Sequence, residues 1–185
     1  MSNFIFTELR TAGAFCIDAK HFGDSRGWFA ETYKEPEYHE AGIDTHFVQD
    51  NESFSTKNVM RGLHFQINHP QAKLVRCTRG AVYDVGVDLR KESPTFGEWV
   101  GELLSEDNHR QLFIPRGFAH GFAVLTDTAI FSYKCDDVYH PNDEGGILLF
   151  DKDLAIKWPA LDGEPILSEK DKVAQTFAEY CAARA

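Results

Sequence analysis

The sequence lacks the cysteine spacing of a zinc site or of a thiol–disulfide motif. No Cys-x-x-Cys pair occurs, and the four cysteines are widely separated, at Cys16, Cys77, Cys135 and Cys181. There is no basic N-terminal segment followed by an apolar run, and no apolar stretch approaches the length of a membrane span. These absences predict a cytoplasmic protein with reduced thiols that does not bind to membranes.

Positive charge is also scarce. The chain has 19 Lys and Arg against 29 Asp and Glu, a formal net charge of −10 at pH 7. Such a charge argues against nucleic acid or an anionic membrane as a partner. A small anionic molecule stays possible if a few cations converge on one site.

Methionine is rare, whereas aromatic residues are abundant. Two Met stand against fifteen Phe, six Tyr and three Trp, which favours the rigid aromatic interior of a β-rich protein. At 185 residues the chain is predicted to be a single domain, 1–185.

Short β-rich runs alternate with turn signals along most of the chain, which predicts a sandwich or barrel rather than βα units. Strands are expected at 74–78, 81–89, 98–104, 111–114, 122–125 and 129–134. The first two flank Arg79-Gly80 and are predicted to form a hairpin. A short helix is expected at 35–41 and a longer one at 168–183.

The segment Arg61-Gly62-Leu63-His64-Phe65-Gln66 places polar residues in a presumed buried strand. Strict alternation puts His64 and Gln66 on one face, which would then line a polar cavity. The same alternation puts Arg61 on the opposite face, so Arg61 would need a bend or a dimer interface to reach that cavity. A second segment, 114–122, also places one histidine, His120, among apolar residues and glycines.

Two histidines in a β-barrel raise the alternative of a metal-dependent cupin oxygenase or isomerase. Pro115-x-Gly117-x-x-His120 matches the second half of the metal-binding cupin pattern. However, Gln66 stands where the first half requires a second histidine, and the remaining ligand set is too small for a divalent ion. The sequence therefore predicts that no metal is bound.

Metal-free acid/base chemistry has more candidate groups. They combine an imidazole base with carboxylate, phenol and ammonium partners, and they are His64, His120, Asp84, Tyr133, Lys73 and Asp171. Each has a plainer interpretation. Asp171 completes a capping box with Ser168, Asp84 and Asp88 suit outward-facing strand positions, and Lys73 suits a solvated strand edge.

Residues suited to an anionic, ring-bearing ligand form a further set. Arg26 and Arg61 offer guanidinium groups for phosphate, Gln49-Asp50-Asn51 offers amides for a base or sugar edge, and Phe29 and Tyr139 offer rings for stacking.

Most of these residues lie in motifs that follow one another along the chain; Tyr133 and Tyr139 lie between two of them. The motifs are Asp24-x-Arg26-Gly27-x-Phe29-x-Glu31, Phe47-Val48-Gln49-Asp50-Asn51, Arg61-Gly62-Leu63-His64-Phe65-Gln66, Gln71-x-Lys73-Leu74-Val75, Gly80-x-Val82-x-Asp84-Val85-x-Val87-Asp88-Leu89-Arg90, Pro115-x-Gly117-Phe118-Ala119-His120-Gly121-Phe122 and Ser168-Glu169-Lys170-Asp171. Together they closely resemble the dTDP-4-dehydrorhamnose 3,5-epimerase family over 26–171, nearly the whole chain. Met60 and Gly86 are small departures that remove no chemical group.

The resemblance implies an all-β cupin fold, a double-stranded β-helix or jelly-roll sandwich with short peripheral helices and a C-terminal helix. It also implies a homodimer, a dTDP-sugar substrate and no metal or organic cofactor. The implied reaction is epimerisation at C3 and C5 of dTDP-4-dehydro-6-deoxy-D-glucose to dTDP-4-dehydro-β-L-rhamnose, in a pathway whose sugar can enter O-antigen.

Residue roles are implied by the same matches. His64 matches the base, Asp171 its orienting partner, Tyr133 the acid and Lys73 the group near the C4 oxygen. Substrate contacts are implied for Arg26, Phe29, Glu31, Gln49, Asp50, Asn51, Arg61, His120, Glu144 and Lys170, and Tyr139 matches the residue that stacks on thymine. A monofunctional 3- or 5-epimerase and a non-catalytic sugar-binding cupin remain as alternatives.

Overall fold

The computed structural model describes residues 2–184, which form thirteen β-strands and three short helices. The strands are β1 (Phe4–Glu8), β2 (Phe15–Ala19), β3 (His21–Asp24), β4 (Gly27–Ala30), β5 (Gln49–Thr56), β6 (Met60–Gln66), β7 (Lys73–Arg79), β8 (Ala81–Asp88), β9 (Trp99–Ser105), β10 (Gln111–Ile114), β11 (Phe118–Val124), β12 (Thr128–Cys135) and β13 (Glu144–Gly146). The helices are α1 (Glu35–Glu40), α2 (Glu169–Lys172) and α3 (Phe177–Ala182).

Two antiparallel sheets pack face to face. The six-stranded sheet has the order β1-β2-β10-β7-β12-β5, and the five-stranded sheet has the order β13-β6-β11-β8-β9. Strands β3 and β4 form a separate two-stranded hairpin. The predicted all-β jelly-roll sandwich is confirmed.

The space between the sheets holds the central core. Phe131 of β12 stacks on Phe122 of β11, with ring centroids 4.4 Å apart, so the contact joins the two sheets directly. Val75, Leu112 and Leu104 are fully buried in the same cluster. Apolar burial of this kind, at about 25 cal/mol per Å², supplies the main favourable term that holds the sheets together.

Each sheet is also covered on its outer face. Tyr38 of α1 packs with Ile43 and Leu74 against the six-stranded sheet. The C-terminal segment covers the five-stranded sheet, where Tyr180 of α3 packs edge-on against Phe65. These outer layers explain why β6 and β8 have buried residues on both faces.

The predicted hairpin around Arg79-Gly80 is wrong. β7 pairs with β10 and β12, whereas β8 pairs with β9 and β11 in the other sheet. Gly80 therefore turns the chain from one sheet into the next. Its φ is +72°, and a Cβ there would lie 2.1 Å from the carbonyl oxygen of Thr128, so only glycine fits this corner.

The predicted helix at 35–41 is confirmed as α1, but the long helix predicted at 168–183 is divided in two. The chain leaves α2 at Val173, and Gln175 forms a parallel bridge with Ile147. Thr176 then starts α3 with a reciprocal capping box involving Glu179. No helix within residues 2–184 has the length and apolarity to cross a bilayer.

Candidate active site

A bulge in β6 places Arg61 and His64 on the same face. His64 lies opposite His120 and Arg61 opposite Phe122, so two residues of β6 face the single residue Gly121 between them. Gly62 has φ +113°, and a Cβ there would lie 2.6 Å from the Cα of Gly121. The expectation that Arg61 and His64 face opposite sides is therefore wrong, because the extra residue resets the alternation.

The active-site cavity lies between the two sheets and has a volume of about 520 Å³. His64 of β6 and His120 of β11 enter it from the five-stranded sheet, and Lys73 of β7 and Tyr133 of β12 enter from the six-stranded sheet. The cavity is also lined by Arg61, Glu144, Lys170 and Asp171. A ligand inside it would have an imidazole on one wall and a phenol and an ammonium on the other.

His64 is oriented by a buried carboxylate. Its Nε2 lies 2.6 Å from Oδ1 of Asp171, whose side chain is 3% exposed. The backbone N–H of Asp171 donates to Oγ of Ser168, which is the N-cap of α2. The helix thus uses the backbone of Asp171, and the carboxylate is directed to His64.

Burial shifts the pKa values of the reactive groups in useful directions. Burial lowers the pKa of His64, although the hydrogen bond with Asp171 opposes that shift, so the imidazole is neutral at pH 7 and can accept a proton. Burial raises the pKa of Tyr133, so the phenol keeps its proton. Burial also lowers the pKa of Lys73, against the attraction of Cys135, Asp84 and Glu144.

A second histidine–carboxylate pair lies beside the first. Nε2 of His120 is 2.8 Å from Oδ2 of Asp84, and the Asp84 side chain is fully buried. Asp84 is therefore not an outward-facing strand residue; it points into the sandwich from β8. Asp88 is also buried, and its carboxylate accepts hydrogen bonds from Arg90, Ser93 and Thr95. Alternation assigned the face of Val85 and Val87 to the core, but these two valines pack beneath the C-terminal segment, and the face of Asp84 is the one directed into the sandwich.

A smaller hollow of about 330 Å³ adjoins the active-site cavity, and His64, Lys73, Tyr133 and Glu144 line both. Gln49, Asn51 and Tyr139 also line it. The hydroxyl of Tyr139 donates to Glu144, at 3.0 Å, and Lys170 pairs with the same carboxylate at 3.2 Å. Burial opposes the charge on Glu144, but the bonds from Tyr139 and Lys170 lower its pKa overall.

Four sequence-predicted residues lie away from both hollows. Arg26 is on the tip of the β3–β4 hairpin, where it pairs with Asp24 and its side chain is 87% exposed. Phe29, on the same hairpin, is 67% exposed. Glu31 accepts a hydrogen bond from Asn3, and Asp50 pairs with Lys134 on the opposite face of β5 from Gln49 and Asn51.

Polar groups of the site are committed to protein partners. Gln66 donates from Nε2 to the carbonyl of His69 and accepts from the backbone of His140, so its amide is used within the protein. Within residues 2–184, no three His, Cys, Asp or Glu side chains gather as a set that could hold a metal ion. The site geometry that the chain offers is that of paired proton-transfer groups.

Comparisons with known proteins agree on one family. The family model described as dTDP-4-dehydrorhamnose 3,5-epimerase matches residues 8–179. A dTDP-4-dehydrorhamnose 3,5-epimerase of Methanothermobacter thermautotrophicus is 49% identical over 173 residues, which cover 93% of this chain and 94% of that protein.

Solved structures extend the same likeness. A Legionella pneumophila dTDP-6-deoxy-D-glucose-3,5-epimerase in complex with dTDP-4-keto-L-rhamnose has a TM-score of 0.90 at 48% identity, covering 94% of this chain and 92% of the other. A 3′-monoepimerase of Streptomyces bikiniensis in complex with dTDP-quinovose has a TM-score of 0.88 at 34% identity, covering 95% of this chain and 89% of the other. The shared architecture therefore spans enzymes that invert one carbon or two.

Proposed function

The chain belongs to the dTDP-4-dehydrorhamnose 3,5-epimerase family and is an isomerase, and we propose that its active-site cavity inverts C3 and C5 of dTDP-4-dehydro-6-deoxy-D-glucose. The product is dTDP-4-dehydro-β-L-rhamnose, on the route to dTDP-L-rhamnose. The observation that carries the proposal is the placement of His64 and Tyr133 on opposite walls of one cavity. Inversion of a carbon requires a proton to leave one face and return to the other.

His64 is the base. Its Nε2 faces the Asp171 carboxylate and donates to it, so the lone pair that accepts the substrate proton belongs to Nδ1. The C4 ketone makes the hydrogens on C3 and C5 weakly acidic. Once Nδ1 takes one of these protons, the imidazolium that forms is stabilised by the buried negative charge of Asp171.

Lys73 stabilises the enolate. Proton removal moves charge onto the C4 oxygen, and a donor already in place lowers the energy of that intermediate. Burial disfavours the charged ammonium and lowers the pKa of Lys73. A negative charge that develops nearby has the opposite effect, so the attraction between the ammonium and the C4 oxygen grows as the enolate forms.

Tyr133 is the acid that returns the proton. Its raised pKa keeps the hydroxyl protonated at neutral pH, and the enolate is a stronger base than the ketone that it replaces. Delivery from the wall opposite His64 inverts the carbon and leaves His64 protonated and Tyr133 as a phenolate. His64 then releases its proton to solvent and Tyr133 takes one up, so that the same pair acts at the second carbon.

The nucleotide half of the substrate is assigned to the adjoining hollow. Tyr139 stacks on thymine, Gln49 and Asn51 contact polar edges, and Arg61 and Lys170 meet the diphosphate. Two cations near the cavity allow a protein with a net charge of −10 to bind an anion.

Hydrogen exchange with solvent tests the function. In deuterium oxide, the protein should incorporate deuterium at both C3 and C5 of dTDP-4-dehydro-6-deoxy-D-glucose, as read by NMR. Exchange at one carbon only would assign the chain to the monofunctional class. If neither carbon exchanges, in protein that binds dTDP, the epimerase assignment is overturned. Loss of exchange with a chelator would support the metal-dependent alternative.

The proposal includes a homodimer in which Arg26 and Phe29 serve the partner's cavity. On the β3–β4 hairpin, Trp28 is 59% exposed and Phe29 is 67% exposed. Neighbouring aromatic residues that are exposed to this extent are typical of a surface that binds another protein. Arg26 lies on the same hairpin and is outside the cavity of its own chain. A hairpin that docks on a second copy would bury the rings and bring a cation to the diphosphate.

Subunit mixing tests this arrangement. His64→Ala and Arg26→Ala homodimers should each be impaired, but a mixed dimer contains one site with both residues intact. Activity that returns on mixing supports Arg26 acting across the interface; additive impairment without recovery contradicts it.

Cytoplasmic location and a single domain over 1–185 complete the proposal. The four cysteines are free thiols, as expected for a reducing compartment. One core cluster contains side chains from both sheets, which supports folding as a unit.

A further inference from the structure

We propose that Asp143 is the positioning residue that holds the thymine-stacking Tyr139 in place. The inference rests on the proposed function, because it concerns the nucleotide half of the same site. It assigns a role to a residue that lines neither hollow.

Tyr139 lies in an irregular loop, 136–143, between the end of β12 at Cys135 and the start of β13 at Glu144. Tyr139 is 50% exposed, so packing holds its side chain only in part, and its hydroxyl makes one bond, to Glu144. The position of the ring therefore also depends on the anchors of the loop backbone. An unanchored loop would have to be ordered by the ligand, which reduces affinity.

Asp143 supplies the strongest of these anchors. Its carboxylate accepts from the backbone N–H groups of Asn68 and His69, at 3.0 Å and 2.8 Å, and from Nδ2 of Asn68 at 2.7 Å. Nδ1 of His69 lies 3.2 Å away. The backbone carbonyl of Asp143 also accepts a hydrogen bond, from the backbone N–H of Ile67 at 2.9 Å. Burial opposes the charge on Asp143, but the bonds from His69 and Asn68 lower its pKa to about 2.

Two further contacts join this anchor to the catalytic strand. The backbone of His140 donates to Gln66, the last residue of β6, at 2.8 Å, and the His140 ring stacks on His69 with centroids 4.0 Å apart. Asp143 is followed directly by β13, which pairs with β6 so that Gly146 lies opposite His64. The backbone of Tyr139 donates to Oε1 of Gln49 at 3.0 Å. The loop that carries Tyr139 is therefore bonded to Gln49 of β5 and to Gln66 of β6, and Asp143 fixes its last residue against the segment that follows β6.

The substitution Asp143→Asn tests the role. It keeps the size of the side chain but removes the charge and one acceptor from the pair of backbone N–H groups. We expect the Kd for dTDP, by isothermal titration calorimetry, and the KM for the dTDP-sugar to rise about tenfold, as a lost charge-assisted hydrogen bond implies. kcat should stay within about twofold, because His64, Tyr133 and Lys73 are untouched.

Asp151→Asn is the matched control. Asp151 is 5% exposed and Asp143 6%, and the carboxylate of Asp151 also accepts backbone N–H groups, from Asp153, Leu154 and Phe177. It lines neither hollow of the site. The control should reduce thermal stability and leave the Kd for dTDP unchanged. An equal loss of dTDP affinity in both variants would reduce Asp143 to a general stability role and overturn the inference.

A double-mutant cycle with Tyr139→Ala identifies the pathway of the effect. If Asp143 acts through Tyr139, Asp143→Asn should cost little further dTDP affinity once the ring is removed. A full tenfold loss in that background contradicts the inference. Should Asp143→Asn fail to fold, Asn68→Ala removes only the Nδ2 bond and should give a smaller KM increase at constant kcat; an unchanged KM would overturn the inference. Wild-type protein that does not bind dTDP would overturn the proposed function itself, whereas an unchanged Kd in folded Asp143→Asn overturns the Asp143 role alone.

Discussion

Replacing Asp171 by asparagine separates the charge of the orienting carboxylate from its shape. In the wild type, Nε2 of His64 lies 2.6 Å from a carboxylate oxygen of Asp171. The amide oxygen of the Asp171→Asn side chain can still accept this hydrogen bond. What disappears is the negative charge that stabilises the imidazolium after proton abstraction. The variant should therefore bind substrate normally and abstract protons slowly.

The magnitude follows from the geometry of the pair. Unit charges about 4 Å apart at an effective dielectric constant of about 20 attract by about 4 kcal/mol. His64 is 34% exposed, so solvent screens part of that attraction. A loss of roughly 2–4 kcal/mol corresponds to a decrease in kcat of roughly 30- to 1,000-fold.

The pH profile gives an independent readout. Burial lowers the pKa of His64, and the hydrogen bond with Asp171 partly restores it. Without the carboxylate the pKa of His64 falls further. The acid limb of kcat/KM against pH should thus move to lower pH although the plateau also falls.

Ser168→Ala is the control for damage to α2, because it removes the N-cap that accepts from the Asp171 backbone. That variant should lose stability and keep its acid limb where the wild type has it. A variant Asp171→Asn with more than about one third of wild-type kcat, or with an acid limb moved to higher pH, would refute the proposed role of the carboxylate.

Two further substitutions test the framework of the site. Gly62→Ala should lower the free energy of unfolding by about 1–3 kcal/mol in urea titrations, because Gly62 has φ +113° and an added Cβ would lie 2.6 Å from the Cα of Gly121. Gly23→Ala is the control: its Cβ would make only an ordinary 3.7 Å contact, so the free energy of unfolding should fall less. Asp84→Asn should lower kcat/KM about tenfold with little change in Tm, since it retains the shape beside His120 but not the charge at 2.8 Å; unchanged kinetics would show that the second pair is only structural.

Local pattern predicted the strands but not their partners. Alternation and turn residues identified the runs that became β7, β8 and β12, because a strand is a local property of the chain. Whether the turn at Gly80 makes a hairpin or a corner between sheets depends on which distant strands offer a pairing edge, and the sequence near Gly80 contains no information on that.

Residues that line the cavity were identified where they matched a known family, and faces were assigned incorrectly where only the alternation of side chains along a strand was available. Motifs contain His64 and Lys73, and the family resemblance added Tyr133; the fold brings all three to one cavity. Strict alternation put Arg61 on the wrong face; of the two ways in which it could still reach the cavity, a bend or a dimer interface, the bulge at Gly62 is the bend. Asp84 was assigned outward because Val85 and Val87 have the opposite parity; the C-terminal segment buries those valines on the outer face, so the apolar face of β8 is not the one that faces the other sheet.

The central claim is that His64 removes the proton from one face and Tyr133 returns it to the other. The direct test measures deuterium incorporation at C3 and C5 together with epimer formation, in His64→Ala and Tyr133→Phe variants of confirmed fold. The account predicts that His64→Ala loses both exchange and inversion, whereas Tyr133→Phe retains exchange and loses most inversion. Near-normal exchange in His64→Ala, or equal loss of exchange and inversion in Tyr133→Phe, would contradict it.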